Sequence, residues 1–450
     1  MTNQSHALPR SGFPPRLRRI PGMTTARIVA AGYLAYMLAG WALLSLPLAQ
    51  ATDIRAVDNL FTAVSAVSTT GLVSVDPGSS YTLWGQAAIL LMIQVGGVGY
   101  MTISSFVYVA LSDRLSRFRM SVTRATFGMP EGMDARRFVM RVVVFTVLVE
   151  AAGAGALYAL FSAAGQEDAL WSAVFHAVSA FCTAGFSLYA TSFEAYRGDA
   201  PVLLLLSLLS YLGAVGFLVA GDVWDRIRAG TPLSLTTRIV LGVTAAMAAG
   251  GTALLFLVEP SLRALPAGER LVNAFFQAMS ASTTVGFNSI PIGAASLASI
   301  LLLYVVMLVG ASPSGTGGGL KSTTVAILAA LARSTTHGRR TVSLSGHAVP
   351  EIKVRKAAAT LVYGLAVLIA GLFCLALTED IAFERLLFEA ISALATVGLS
   401  MGATGALSDA GKLAIVALMA IGRIGILGFG VALAARERRR AVTEGDDIVL

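Results

Sequence analysis

Four short stretches share one arrangement of side chains, and that arrangement suits the handling of a bare cation. They are FTAVSAVSTTG (61–71), FHAVSAFCTAG (175–185), FQAMSASTTVG (276–286) and FEAISALATVG (388–398), all obeying F-x-A-x-S-A-x-x-T-x-G. Each closes on Thr-x-Gly. The glycine permits a backbone turn that a β-carbon forbids, and the threonine places a hydroxyl and a carbonyl just before it. The run ahead of each predicts a short helix whose C-terminal dipole end, roughly half a negative charge, faces the loop. Four such loops around one centre would replace an ion's hydration shell with carbonyl oxygens. They would favour a cation over an anion without any carboxylate. The candidate ion-binding residues are therefore Thr69, Thr70 and Gly71; Thr183, Ala184 and Gly185; Thr284, Val285 and Gly286; and Thr396, Val397 and Gly398.

The elements that must position these loops follow from their spacing. Gly71, Gly185, Gly286 and Gly398 divide the chain into four units of about 110 residues. Eight apolar runs flank them, at 27–48, 82–111, 139–163, 201–224, 236–258, 296–332, 356–377 and 410–434, each long enough for the roughly 20 residues a membrane crossing needs. The first run is too long for a secretory signal and reads as a retained span. Each unit is span, short re-entrant helix, loop, span, and starts and ends on the same side. The fold expected is an all-α membrane protein of four parallel repeats, eight spans in all, forming a pseudo-tetrameric pore.

The expected boundaries are an N-terminal segment 1–26, repeat 1 at 27–111, a basic loop 112–138, repeat 2 at 139–229, repeat 3 at 236–332, a second basic loop 333–355, repeat 4 at 356–435 and a tail 436–450. A Gly-rich kink follows each loop, in VGGVG (95–99), LGAVG (212–216), VGASP (309–313) and IGRIG (421–425). It suits either close helix packing or a wide, flexible inner cavity.

Composition supports a membrane protein. Of 450 residues, 56% are apolar and 13% charged, where soluble chains carry about 25% charged residues. The net charge is +8, yet its placement is a topology signal. With the N-terminus inside, 25 of the 33 Lys and Arg fall in inside segments or at their span ends, and six fall outside. That distribution excludes a nucleic-acid footprint and points to lipid headgroups. Both termini are expected in the cytoplasm of a multi-pass inner (plasma) membrane protein. The two cysteines, Cys182 and Cys374, make no disulfide framework, and His6, His176, His337 and His347 have no metal spacing. No enzyme motif stands out.

The sixth run is broken by GASPSGTGGGLKS (310–322). Leu320 between Gly319 and Lys321 spoils a phosphate-binding loop. Polar, Gly-rich backbone at membrane depth belongs only where protein or a water-lined path surrounds it. Lys321 and Arg423 lie at membrane depth, as does Glu150, read as a helix-packing hydrogen bond or neutral carboxyl.

Taken together, these motifs resemble the Trk/Ktr/HKT superfamily of potassium uptake proteins, over residues 27–435. Eight spans and a short N-terminus look like the KtrB membrane subunit. The resemblance implies potassium as substrate, a filter at the four Thr-x-Gly triplets, and potassium selectivity, since Gly71 is not serine. It implies a filter-supporting role for Asn288. It also implies a gate in the intramembrane loop, at Gly315, Gly317, Gly318, Gly319 and Lys321, with Arg423 as an electrostatic barrier beneath the filter. No cofactor is expected in the chain; sodium as an activator stays open. The partners implied are membrane lipid, a second copy in a homodimer, and a KtrA-like cytoplasmic ring that binds ATP or ADP. That ring would dock on the basic loops. The competing expectation, an alternating-access transporter for a small cation, would call for inverted rather than parallel repeats.

Overall fold

The computed structural model describes residues 25–99 and 135–425. The segment 1–24, most of the basic loop 112–138 and the tail 436–450 lie outside the described residues.

One order of elements recurs four times. A first helix leads into a short buried helix, then a loop, then a second helix. In the first quarter these are α1 (Thr25–Leu44), α2 (Ala56–Ser68) and α3 (Leu83–Val98). The second has α4 (Ala135–Ala163), α5 (Ala169–Phe181) and α6 (Ala200–Val215), continued by α7 (Phe217–Ala229). The third has α8 (Leu235–Val258), α9 (Ala267–Thr283) and α10 (Leu297–Leu308), then α11 (Ser322–Thr336) beyond the interruption. The fourth has α12 (Glu351–Thr378), α13 (Phe383–Leu394) and α14 (Asp409–Ile424).

Local sequence explains where the second helices start. Thr82, Asp199, Ser296 and Ser408 are their N-caps, accepting from the amides of Gly85, Val202, Ser299 and Gly411. In the last two quarters a glutamate ties this start to the first helix. Glu259 at the end of α8 accepts from the Ser296 amide at 3.0 Å, and Glu379 at the end of α12 accepts from the Ser408 amide at 2.9 Å. Burial pushes the Glu379 carboxyl up, but the hydrogen bonds from Ser408 outweigh it and hold the group below its ordinary value.

Within the described residues α3, α6, α10 and α14 each cover part of the apolar run that encodes them, and the runs past Gly99 and Gly425 lie outside those residues. Three helices among the described residues are long and apolar enough to cross a membrane: Val139–Ala163, Leu235–Val258 and Glu351–Thr378. The α6–α7 pair makes a fourth only with a 98° bend. The reason is glycine: α3, α6 and α14 stop at Gly99, Gly216 and Gly425, with φ of 88°, 91° and 93°, where the helix cannot continue. The loop 333–355 also departs from an all-helical reading. Strand β1 (Ser343–Leu344) pairs antiparallel with β2 (His347–Ala348). Ser345 and Gly346 both take positive φ there, as a two-residue hairpin turn demands.

Burial is arranged inside out. The short helices α2, α5, α9 and α13 are buried almost throughout, polar residues included. The long helices turn large apolar side chains outward, with Leu148, Val362, Ile369 and Leu377 all 64–70% exposed. Apolar outside and polar inside is the arrangement a bilayer solvent rewards.

The glycines of the kinks serve close packing. A Cβ at Gly96, Gly213 or Gly422 would overlap the carbonyl oxygen of Val67, Phe181 or Leu394, equivalent positions near the ends of α2, α5 and α13. Each second helix thus lies with its backbone against the end of its own short helix. Gly213→Ala should lower the unfolding temperature in detergent, at a cost of about 1–3 kcal/mol for overpacking. Gly221→Ala, with nothing within 4 Å of the new carbon, should not.

Candidate ion-conduction site

The four Thr-x-Gly loops have one conformation. Thr69, Thr183, Thr284 and Thr396 all sit in the left-handed region, with φ of 52°, 50°, 61° and 50°. Threonine seldom adopts it, so four equivalent occurrences reflect a shared constraint. That constraint is hydrogen bonding. The amides of Thr70, Ala184, Val285 and Val397 turn back to the carbonyls of Ser65, Ser179, Ser280 and Ser392, at 2.9, 2.8, 3.1 and 2.8 Å. Each closes the end of its short helix in the manner of a Schellman turn. The N–H and C=O of one trans peptide point in opposite directions. Fixing those amides on the helix therefore turns the carbonyls of the four threonines away from it.

The structure brings the four loops together. A Cβ on Gly71 would overlap the Ala184 carbonyl oxygen, one on Gly185 the Val285 oxygen, one on Gly286 the Val397 oxygen, and one on Gly398 the Thr70 oxygen. Each loop leans on the next, and the fourth returns to the first. All twelve candidate residues except the two glycines at 185 and 398 are in the buried class, and those two are half-buried.

The pattern serine is a functional residue that spacing alone left unassigned. Beyond its carbonyl, Ser65 Oγ accepts from the Gly71 amide at 3.1 Å and Ser392 Oγ from the Gly398 amide at 3.0 Å. Ser179 Oγ instead donates to the Phe186 carbonyl at 2.8 Å. The residue after the phenylalanine anchors the strand beyond the loop. His176 takes the Leu188 amide at 3.2 Å on Nε2 while Nδ1 meets the Ser172 carbonyl at 2.7 Å, which fixes a neutral tautomer. Glu389 accepts from Ser400, Thr404 and the amides of Met401 and Ala403. The third quarter differs. Asn288 is drawn sideways, its Nδ2 donating to Glu194 Oε1 at 2.8 Å in the outer loop of the second quarter. Burial raises Glu194 above the usual carboxylate range, although Asn288 and Arg197 pull the other way. Asn288 thus braces the mouth, while Gln277 beneath it has no hydrogen-bond partner among the described residues.

On the opposite side of the ring lies the interruption between α10 and α11. Its ends pair through Val309 and Leu320. Gly315 packs against the Ala214 carbonyl so closely that a Cβ would overlap it. The loop touches three of the four ring threonines. Thr316 Oγ1 lies 3.1 Å from Thr183 Oγ1, and the Gly318 amide donates to Thr284 Oγ1 at 3.0 Å. Cβ atoms at Gly317 and Gly318 would collide with Thr284 and Thr396. Arg423 reaches the fourth, donating to Thr69 Oγ1 at 3.0 Å, to the Thr316 carbonyl at 2.6 Å, and to the carbonyls of Gly96 and Gly97. Lys321 closes the loop on itself, its Nζ donating to the Gly317 carbonyl at 2.6 Å. Gly319 takes φ of 69° against Gly310. The candidate gate residues thus lie together beside the ring, and Thr316, which spacing did not single out, contacts both Thr183 and Arg423.

A buried ion pair joins the last quarter to the first. Lys412 on α14 meets Asp58 on α2 at 2.6 Å, both side chains under 5% exposed. Arg55 bridges Asp58 and Asp409 at 2.9 Å each.

Buried carbonyls ringed by apolar helices define a helical membrane protein that handles cations. A family model described as TrkH, cation transport protein, matches residues 35–438. The Ktr system potassium uptake protein B of Vibrio alginolyticus is 36% identical over 417 residues, covering 91% of each chain. That of Bacillus subtilis (strain 168) is 32% identical, covering 92% of this chain and 94% of its own. The crystal structure of the potassium transporter TrkH from Vibrio parahaemolyticus superposes with a TM-score of 0.71 at 20% identity, covering 93% of this chain and 86% of that one. The chain belongs to the TrkH family of cation transport proteins, and it is not an enzyme.

Glu389→Ala strips the buried amides of Met401 and Ala403 of their acceptor. Each orphaned group should cost about 1–3 kcal/mol, seen as a lower melting temperature, with Glu389→Gln losing less.

Proposed function

We propose that the chain is the ion-translocating subunit of a Ktr-type potassium uptake system. The observation that carries this reading is the cyclic contact of four Thr-x-Gly loops with their threonine carbonyls turned from the helices. Four quarters of equal orientation make a pseudo-tetrameric pore of eight crossings. Potassium sheds water into carbonyl oxygens at residues 69–71, 183–185, 284–286 and 396–398. Asn288 supports the outer mouth.

The loop 310–322 is the gate in this reading. Its contacts to Thr183, Thr284 and Thr396 close the inner end of the ring, and Arg423 sets a positive charge beside Thr69. A cation leaving the ring meets that charge in a low-dielectric setting, where like charges repel far more than in water. Opening requires Arg423 to leave the Thr316 carbonyl and Gly315 to Gly319 to swing aside, with Lys321 carried along.

The chain works without a bound cofactor, in the inner membrane, with both termini cytoplasmic. It pairs as a homodimer among membrane lipids and seats on a nucleotide-binding cytoplasmic ring, KtrA-like, at its basic loops. The relatives named potassium uptake protein B support this assignment. Sodium would act as an activator, tested by its effect on the uptake rate.

Rubidium uptake in a transport-deficient host tests the whole. Wild type should take up rubidium and support growth at low potassium, and Gly71→Ser should lower discrimination against sodium. Unchanged discrimination would remove the filter assignment. Arg423→Ala, or deletion of Gly317 to Gly319, should raise ion leak several-fold; unchanged flux at normal expression would remove the gate.

A further inference from the structure

The second ring strand carries a support that the other three lack. Cys182 immediately precedes Thr183. In the equivalent place, Ser68 bonds the Ser65 carbonyl and the Thr70 hydroxyl and Thr283 the Met279 carbonyl, all within their own short helix and loop, while the fourth quarter has the apolar Ala395. Cys182 alone reaches residues of the spans. Its Sγ lies 3.7 Å from Glu150 Oε1 on α4 and 3.6 Å from Gln94 Oε1 on α3, and Gln94 Nε2 donates to Glu150 Oε2 at 3.0 Å. Glu150 is 8% exposed, and Gln94 and Cys182 are the hydrogen-bond partners that hold it.

The triad has little room to shift. A Cβ on Gly97 would stand 2.8 Å from both Cβ and Sγ of Cys182, so α3 is pressed against the thiol. The next link is the strand itself. Thr183 Oγ1 donates to the Cys182 carbonyl at 2.8 Å and meets Thr316 of the interruption loop. On the α3 side, Gln94 sits within a turn of Gly96 and Gly97, whose carbonyls receive Arg423. A carboxyl buried in a membrane protein is costly unless its polar contacts are worth keeping. Here those contacts fix the backbone where the second strand begins.

We propose that Glu150, Gln94 and Cys182 form a brace that positions the second ring strand, making Glu150 a selectivity-determining residue that acts through Cys182 rather than by touching the ion. This rests on the reading of the ring as the filter. A brace works through shape and hydrogen bonding, so glutamine should replace Glu150. An anion drawing cations toward the pore would not tolerate that exchange.

The test is competitive rubidium uptake against sodium in whole cells, normalised to surface expression. Glu150→Leu and Cys182→Ala should each lower potassium-over-sodium discrimination by about threefold or more, within the range seen for residues that couple to a site without contacting ligand. Glu150→Gln should stay within about twofold of wild type on the same scale. If Glu150→Gln is as impaired as Glu150→Leu, charge and not the brace matters, and the proposal fails. It also fails if Glu150→Leu and Cys182→Ala both keep wild-type discrimination. Should Glu150→Leu not reach the membrane, Gln94→Leu and Cys182→Ala decide from the other two corners. Gly185→Ser is the control. If it shifts discrimination while the brace variants do not, only the brace is overturned; if it shifts nothing, the filter reading falls first.

Discussion

Everything in this molecule answers to one demand: peptide groups kept out of water must still be paired. The amides of Thr70, Ala184, Val285 and Val397 are spent on serine carbonyls one turn back. The carbonyls on the other face of those peptides are thereby turned away from the short helices. A buried amide without an acceptor is expensive, so the short helices must end where they do, and the serine must stand four residues before its threonine. The left-handed threonines are the conformational cost of that geometry. They persist because α2, α5, α9 and α13 are held on all sides by the longer helices.

Fourfold likeness in the ring coexists with unlike supports around it. Glu389 and His176 hold the strand above their loops directly. The third quarter trades that contact for Asn288 reaching across to Glu194. The second helix of that same quarter is the one broken by the loop that touches Thr183, Thr284 and Thr396. A tetramer of identical subunits could not make such distinctions. A single chain can place one arginine, one loop and one buried carboxyl each in a single quarter.

Much of this was legible before any coordinates. The repeated F-x-A-x-S-A-x-x-T-x-G announced four equivalent turns because Gly and Thr are tied to backbone conformation, and local conformation is written in local sequence. The interruption at 310–322 was legible for the same reason. Long-range contacts were not. Nothing in the spacing says that Thr316 meets Thr183, or that Asn288 bonds Glu194 instead of its own quarter, since these depend on how α10 and η-turn residues 194–196 come to rest. Helix breaks were less legible: apolarity continues through Gly216, where positive φ ends α6 and the chain bends by 98° into α7. The kink glycines at 96, 213 and 422 lie tight against the short-helix ends, the closer-packing reading of the two that composition allowed.

The joint between Gly398 and Thr70 has a bearing on how the molecule is made. The other three joints connect quarters that follow one another along the chain, whereas this one joins the last quarter to the first, as do Lys412 on Asp58 and Arg423 on Thr69, pairs 354 residues apart. During synthesis the ribosome delivers the N-terminal quarter long before its neighbour exists. Until α14 arrives, Asp58 has Arg55 but not Lys412, and the first loop stands at an open seam without Arg423. Closing so large a loop is slow, so ring completion is set to be the late step of biogenesis, and a chain cut between the third loop and the fourth leaves a three-sided assembly that cannot seal.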